Sequence, residues 1–168
     1  FIPVIASINK TFSVAFLAAG VVFYTFSEYL RCNGGNIIII SRITPMASRD
    51  RDKGRFVLGP VTLGIGALLA LMLYPAPAAT IAIYALAFGD SIASVIGKIF
   101  GRIRLPYSGG KTLAGSLACL IVVTFTAYRI TGSFKSAIIL GSVATLLEAL
   151  PTGDLDNTII PTGTGLAA

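Results

Sequence analysis

Three short stretches of this chain carry side chains that could handle a phosphorylated ligand. In "ALAFGDSIASVIGKIFGR", read as a helix, Asp90, Ser94, Gly97 or Lys98, and Gly101 recur at three- and four-residue steps and share a face. In "IRLPYSGGKTLAGS", Arg102, Arg104 and Lys111 surround Ser108-Gly109-Gly110, and Thr112 opens the next apolar run. Glycines let a backbone approach an anion closely, and N–H groups at a helix start point at it. In the third stretch, Glu148 ends an apolar run and "PTGDLDNTIIP" follows, with Asp154, Asp156 and Asn157 after a proline break. Hard oxygen ligands of this kind suit Mg2+, which takes one or two carboxylates plus substrate phosphates.

Each stretch also has a plainer use. Asp90 could pair with Lys98 or a neighbouring helix to hold a bundle, and Gly97-Lys-Ile-Phe-Gly101 is a G-x-x-x-G that favours close helix packing. The basic loop could be an ordinary charged loop, and Asp154 or Asp156-Asn157 could cap a helix. The glycine–lysine stretch is not a P-loop. That motif needs a glycine five positions before the second one, and counting back from Gly110 lands on Leu105.

The elements that would position these residues are apolar. Of the 168 residues, 55% are hydrophobic and 12% charged, with no His and no Trp. Soluble domains average roughly 25% charged residues. Residues 11–30, 56–74, 77–99, 112–130 and 136–150 are each mostly apolar. Four of these reach or approach the roughly 20 residues that cross a hydrocarbon core, whereas 136–150 is short. Residues 1–7 and 157–168 would be pieces of flanking spans. The expectation is an all-α integral membrane protein, a polytopic bundle of about five to seven transmembrane helices forming a single domain over 1–168. The opening at Phe1 and the ending "GTGLAA" suggest trimming at one or both ends, and no signal peptide is legible. Cys32 in a polar loop and Cys119 in an apolar span are not expected to pair.

Alternating the loops across a membrane puts 31–55, 97–111 and 151–156 on one side. That side then carries ten of the 13 basic residues, leaving Lys10, Arg129 and Lys135 opposite. The positive-inside rule makes it cytoplasmic, in an inner or organellar membrane. All seven acids fall on that side or in the helix halves nearest it. Acids contribute little to topology, so their gathering asks for a chemical reason. The net charge of +6 suits anionic head groups, and nothing argues for a nucleic-acid partner. The loop "ASRDRDKGR" reads as head-group-facing, with Lys53-Gly54-Arg55 a weaker phosphate contact. Carboxylates, a glycine–lysine loop and apolar helices on one face suit a nucleotide with Mg2+ entering from water and a lipid entering from the side. A homo-oligomer is left open.

At these residues a family pattern emerges. "GDSIASVIGKIFGR", then "GKTLAGS", then a Glu-x-x-Pro at Glu148 and "DNTIIP" resemble the CTP-dependent lipid-alcohol kinases: phytol kinase, dolichol kinase and the related diacylglycerol kinase. The resemblance covers residues 55–161. It implies a multi-helix membrane enzyme that uses CTP and a divalent metal and moves the γ-phosphate to a prenol, phytol or diacylglycerol. Carried over by position, Asp90, Lys98, Lys111, Glu148, Asp156 and Asn157 are the matching polar residues. The chain departs from the family at Ala114, where a Glu is common, and in having no His.

The roles expected on this basis are catalytic for Asp90, Lys111 and Glu148 and metal-binding for Asp90, Glu148 and Asp156. Ser94, Lys98, Arg102, Gly109, Gly110, Lys111, Thr112 and Asn157 would contact the nucleotide and its phosphates. CDP-diacylglycerol synthases share part of the pattern and would transfer CMP instead, but their His-Gly-Gly and Asp-Arg-x-Asp are missing here. A non-enzymatic transporter or packing subunit is the remaining alternative. A transporter needs polar sites open to both sides, and a packing subunit has no need of buried Asp90 and Glu148.

Overall fold

The apolar runs fold as helices in the computed structural model, which describes residues 2–33, 56–106 and 108–168. Seven helices lie among the described residues: α1 (Ile2–Ile8), α2 (Lys10–Cys32), α3 (Gly59–Leu73), α4 (Ala78–Phe100), α5 (Leu113–Thr131), α6 (Phe134–Glu148) and α7 (Asp156–Ala167). A 3-10 turn, Gly153–Leu155, leads into α7. The loop read as head-group-facing, with Lys53-Gly54-Arg55, lies outside the described residues.

Local chemistry sets the boundaries. Asn9 caps α2 by accepting from the Phe12 N–H at 2.9 Å, and Ser133 caps α6 by accepting from the Ser136 N–H at 3.3 Å. Pro60 occupies the first turn of α3, where a missing N–H costs nothing. Gly132, at φ 69°, ends α5 in the left-handed conformation. The centre of α4 is a π-helical turn, Ala85–Asp90, so Asp90 sits where the helix returns to regular geometry.

The distribution of side chains is that of a membrane bundle. The interior is rich in small residues: Ala70, Ala82, Ala85, Ala127, Ala137 and Ala144 are fully buried, beside a few larger ones such as Leu86 and Ile160. Large apolar residues such as Phe16, Phe23, Ile121, Phe125 and Leu146 face outward. In lipid, helices associate through close backbone approach at small residues, since the tails are as apolar as Leu. α2, α4 and α5, with 23, 23 and 19 residues, are long and apolar enough to cross a membrane. α3, α6 and α7 are shorter, at 15, 15 and 12 residues. The protein is an all-α membrane bundle.

Contacts between helix ends fix which termini share a side. The Asn157 side chain donates to Thr62 Oγ1 at 2.9 Å and to the Gly59 carbonyl at 3.4 Å, so α3 and α7 start together. Tyr74 Oη donates to the Thr162 carbonyl at 2.6 Å and Lys10 Nζ to the Tyr74 carbonyl at 3.3 Å, marking the opposite end. The ends of α2, α4 and α6 and the starts of α3, α5 and α7 therefore share one face of the bundle. Pro161 deepens the α3–α7 contact. Lacking an N–H, it frees the carbonyl of Asn157, four residues earlier. That carbonyl lies where a Cβ on Gly66 would be, so a glycine Cα–H faces it.

Candidate functional site

Two of the three stretches meet at this shared face, and Lys111 joins them. Its Nζ lies 3.1 Å from Asp156 Oδ2, at the start of α7, and 3.3 Å from Glu148 Oε1, at the end of α6. The remaining carboxylate oxygens are engaged as well. Ser116 Oγ donates to Glu148 Oε2 at 3.0 Å, and the Asn157 N–H donates to Asp156 Oδ1 at 2.9 Å. Glu148 and Asp156 are buried, at 4% and 9% exposure. Two carboxylates at one point would repel each other in a poorly solvated place, and the ammonium between them removes that cost.

The turn that carries Lys111 is tied down by its own backbone. The Leu113 N–H donates to the Ile103 carbonyl at 3.0 Å and the Leu105 N–H to the Lys111 carbonyl at 2.9 Å. Arg104 and Thr112 form an antiparallel bridge between these bonds. Ser108, buried, donates its hydroxyl to the Leu105 carbonyl at 2.7 Å. Gly109 and Gly110 take φ of 67° and 98°, values that disfavour any residue with a Cβ. Thr112 then caps α5, accepting from the Gly115 N–H at 3.2 Å.

The face of α4 that packs on this turn differs in detail from the one expected. Ala93, Gly97 and Gly101 are the packed residues. A Cβ on Gly97 would come within 2.8 Å of Thr112 Oγ1, one on Gly101 would press on Thr112, and one on Gly115 would meet the Ala93 carbonyl at 2.7 Å. The G-x-x-x-G reading as a packing motif holds. Ser94 and Lys98 lie one step around the helix and are exposed, as is Arg102. Among the described residues, none of these three makes a side-chain hydrogen bond or ion pair. Asp90 is half-buried on the packed side. A Cβ on its neighbour Gly89 would meet Val123 at 2.8 Å and Cys119 at 3.2 Å, so this part of α4 packs against α5.

Among the described residues, no three His, Cys, Asp or Glu side chains gather as a metal-binding group. Of the expected trio Asp90, Glu148 and Asp156, the last two share Lys111, and the three do not gather as one group among the described residues. The pair suits a divalent cation in its donor chemistry: two carboxylates from two helices already converge on one cation, and phosphate oxygens commonly complete an Mg2+ shell.

Two residues were missed by sequence reasoning. Ser116 sits in an apolar run where a serine ordinarily marks helix packing; only its four-residue spacing from Thr112 hinted at the shared face. Glu28, counted only as one of the acids near this side, is fully buried. It accepts from Arg31 Nε at 2.8 Å and Nη2 at 2.7 Å, and from the Val57 N–H at 2.9 Å, tying the end of α2 to the entry of α3.

The comparisons with known proteins point one way. Probable phytol kinase 1, chloroplastic, of Glycine max is 25% identical over 165 residues, covering 84% of this chain and 55% of the relative. The CTP-dependent diacylglycerol kinase 1 of Schizosaccharomyces pombe is 24% identical over 140 residues, covering 73% of this chain and 64% of the relative. The dolichol kinase of Mus musculus is 29% identical over 134 residues, covering 67% of this chain and 25% of the relative. The chain resembles the lipid-alcohol kinases. It spans only part of each relative, about half of the phytol kinase. No protein-family model matches it, and no solved structure does.

Proposed function

We propose that this chain forms the phosphoryl-transfer site of a CTP-dependent kinase that places the γ-phosphate on a membrane lipid alcohol of the polyprenol, phytol or diacylglycerol type. The observation that carries this reading is the Lys111 ammonium on a glycine turn, bound to carboxylates from two further helices at one end of an apolar bundle. The named activities of the relatives support it: phytol, dolichol and diacylglycerol kinases differ in the alcohol and share the transfer.

Phosphoryl transfer asks little covalent help from a protein; it asks for positioning and charge neutralisation. In this reading Lys111 neutralises the γ-phosphoryl as it moves. Gly109 and Gly110 allow the backbone close to the phosphates, and Thr112 holds the start of α5 toward them. Asn157, anchored on Thr62 and Gly59, keeps Asp156 in place. Glu148 and Asp156 would hold Mg2+, which supplies charge neutralisation on the nucleotide phosphates. Lys98 and Arg102, exposed near the same end, meet the nucleotide from the water side, with Ser94 above them on α4. Asp90 takes the proton of the lipid hydroxyl as its oxygen bonds to the γ-phosphorus and CDP leaves. The outward apolar faces of the helices let the alcohol arrive from the bilayer. We read residues 1–168 as one helical unit with its site on the cytoplasmic face, which follows from the basic residues collected there.

The deciding experiment uses purified protein, Mg2+ and a mixed lipid-alcohol extract, with CTP labelled at the α- or the γ-phosphate. Label reaching lipid only from the γ position is the expected result. Label only from the α position, with pyrophosphate released, would make the chain a cytidylyltransferase. No transfer from either would return it to the non-enzymatic class.

A further inference from the structure

We propose that Lys111 is a resident counter-ion: it occupies the Glu148–Asp156 pair while no divalent cation is present and is displaced from it when one binds. The inference rests on reading the pair as the metal-binding part of a nucleotide site. Three observations carry it. The ammonium pairs with one oxygen of each carboxylate, at 3.3 Å from Glu148 and 3.1 Å from Asp156, so it already sits at the point where the two helices present negative charge together. The other two oxygens are held by Ser116 and by the Asn157 N–H, so both carboxylates stay oriented when the lysine leaves. The backbone of the turn is tied through Leu105, Ser108 and Leu113, so release moves a side chain and leaves the turn in place.

The choice of lysine matters. Its ammonium is a compact point charge on a flexible four-carbon stem, able to change partners without a fixed fork geometry. A divalent cation on the same oxygens would repel an ammonium a few ångströms away. One of the two must therefore leave, and the ammonium, being tethered, does not leave the site altogether. It remains beside the glycine turn, free to meet an anion. A single exchange then couples the arrival of the metal to the exposure of a phosphate-binding charge.

The test follows binding of Mn2+ alone to the detergent-solubilised protein without nucleotide, read from the loss of the free-Mn2+ electron paramagnetic resonance signal. Lys111→Met removes the competitor and is expected to bind Mn2+ about tenfold more tightly or better. Lys111→Arg keeps a charge at the pair and is expected to bind no more tightly than the unsubstituted protein. Binding by Lys111→Met that is equal to wild type, weaker or undetectable at millimolar Mn2+ overturns the proposal. A second measurement needs no substitution. Labelling of the Lys111 amine by an acylating reagent, read by mass spectrometry, is expected to rise severalfold when Mg2+ is added, and labelling indifferent to Mg2+ overturns the proposal equally. If Mn2+ and labelling behave as expected but γ-labelled CTP yields no lipid phosphate, the cation exchange stands and the kinase reading alone fails.

Discussion

Two buried carboxylate–cation groups lie at the same end of this bundle, and they are built for different ends. Glu28 pairs with Arg31 one turn away on the same helix, through a two-pronged contact at 2.8 and 2.7 Å, and its third bond is to the backbone N–H of Val57. Glu148 and Asp156 come from different helices and share a lysine from a third element, through single contacts at 3.3 and 3.1 Å. A guanidinium fork is matched to one carboxylate and held in one geometry, whereas an ammonium is a rotatable point charge. The first group is a clamp that secures the entry of α3. The second holds three elements in register through single ammonium contacts, which is the arrangement the proposed exchange requires. Burial of charge alone therefore does not mark a site.

The largest effect expected from this contrast is on turnover. Asp156→Asn keeps the shape and the local hydrogen bond and removes the charge. Lipid phosphorylation should fall by about 10²–10³, the range typical for losing one preorganised electrostatic contact, while the melting temperature in detergent stays within a few degrees of wild type. EDTA should abolish turnover of the unsubstituted protein, and Mg2+ should restore it. An Asp156→Asn protein of near-normal activity would move Asp156 from the site to the clamp's class.

Glu28→Gln should show the reverse pattern. It removes the charge that the Arg31 fork holds, and the Arg31 side chain retains 18% exposure, so solvent recovers part of the loss. A loss of about 1–3 kcal/mol in stability is expected, seen as a lower melting temperature, with the specific activity of the folded protein changing less than threefold. A large loss of activity at unchanged stability would give Glu28 a share in the chemistry and collapse the distinction.

How far these groups could be read in advance follows from what each depends on. The helices were legible because apolar runs in a chain with so few charges have few other fates, and Asn9, Thr112, Ser133 and Gly132 mark their ends. Loop alternation put Lys111, Glu148 and Asp156 on one side, and these three do meet at one end of the bundle. The pairing of Lys111 with Asp156, 45 positions away, was not, because periodicity says which residues share a face but not which helices are neighbours. On α4, Ser94 and Lys98 lie exposed beside the packed face. Close packing selected the small residues Ala93, Gly97 and Gly101, which admit Thr112 and Gly115, over the polar ones beside them. Ser116 was hidden because a serine in an apolar helix has an ordinary explanation until the residue opposite is known.

The α3–α7 contact offers a finer test of whether the site depends on helix placement. Gly66→Ala would set a methyl group against the Asn157 carbonyl, so α7 must shift at the residue next to Asp156. Overpacking of this kind costs about 1–3 kcal/mol. Stability should fall by that amount, and turnover should fall with it by about tenfold through the displaced carboxylate. Stability loss with full activity would show that the pair around Lys111 tolerates movement of α7.

The smallest effect concerns Ser116, whose hydroxyl orients Glu148 without a charge of its own. Removing one neutral donor to a carboxylate costs about 1.5–3 kcal/mol when the acceptor stays buried, less here because the Lys111 contact remains. Ser116→Ala should lower turnover by about three- to tenfold and raise the Mg2+ concentration needed for half-maximal rate, since Glu148 is then free to rotate. Ser116→Thr keeps the hydroxyl and should recover most of the loss. The Mg2+ requirement is the discriminating readout: a serine that merely fills space between α5 and α6 would change stability, and both variants would keep the wild-type metal dependence. If Ser116→Ala shifts that dependence and Ser116→Thr restores it, the exchangeable group is larger than the lysine and its two carboxylates. It then includes the neutral donor that keeps Glu148 facing the cation while partners change.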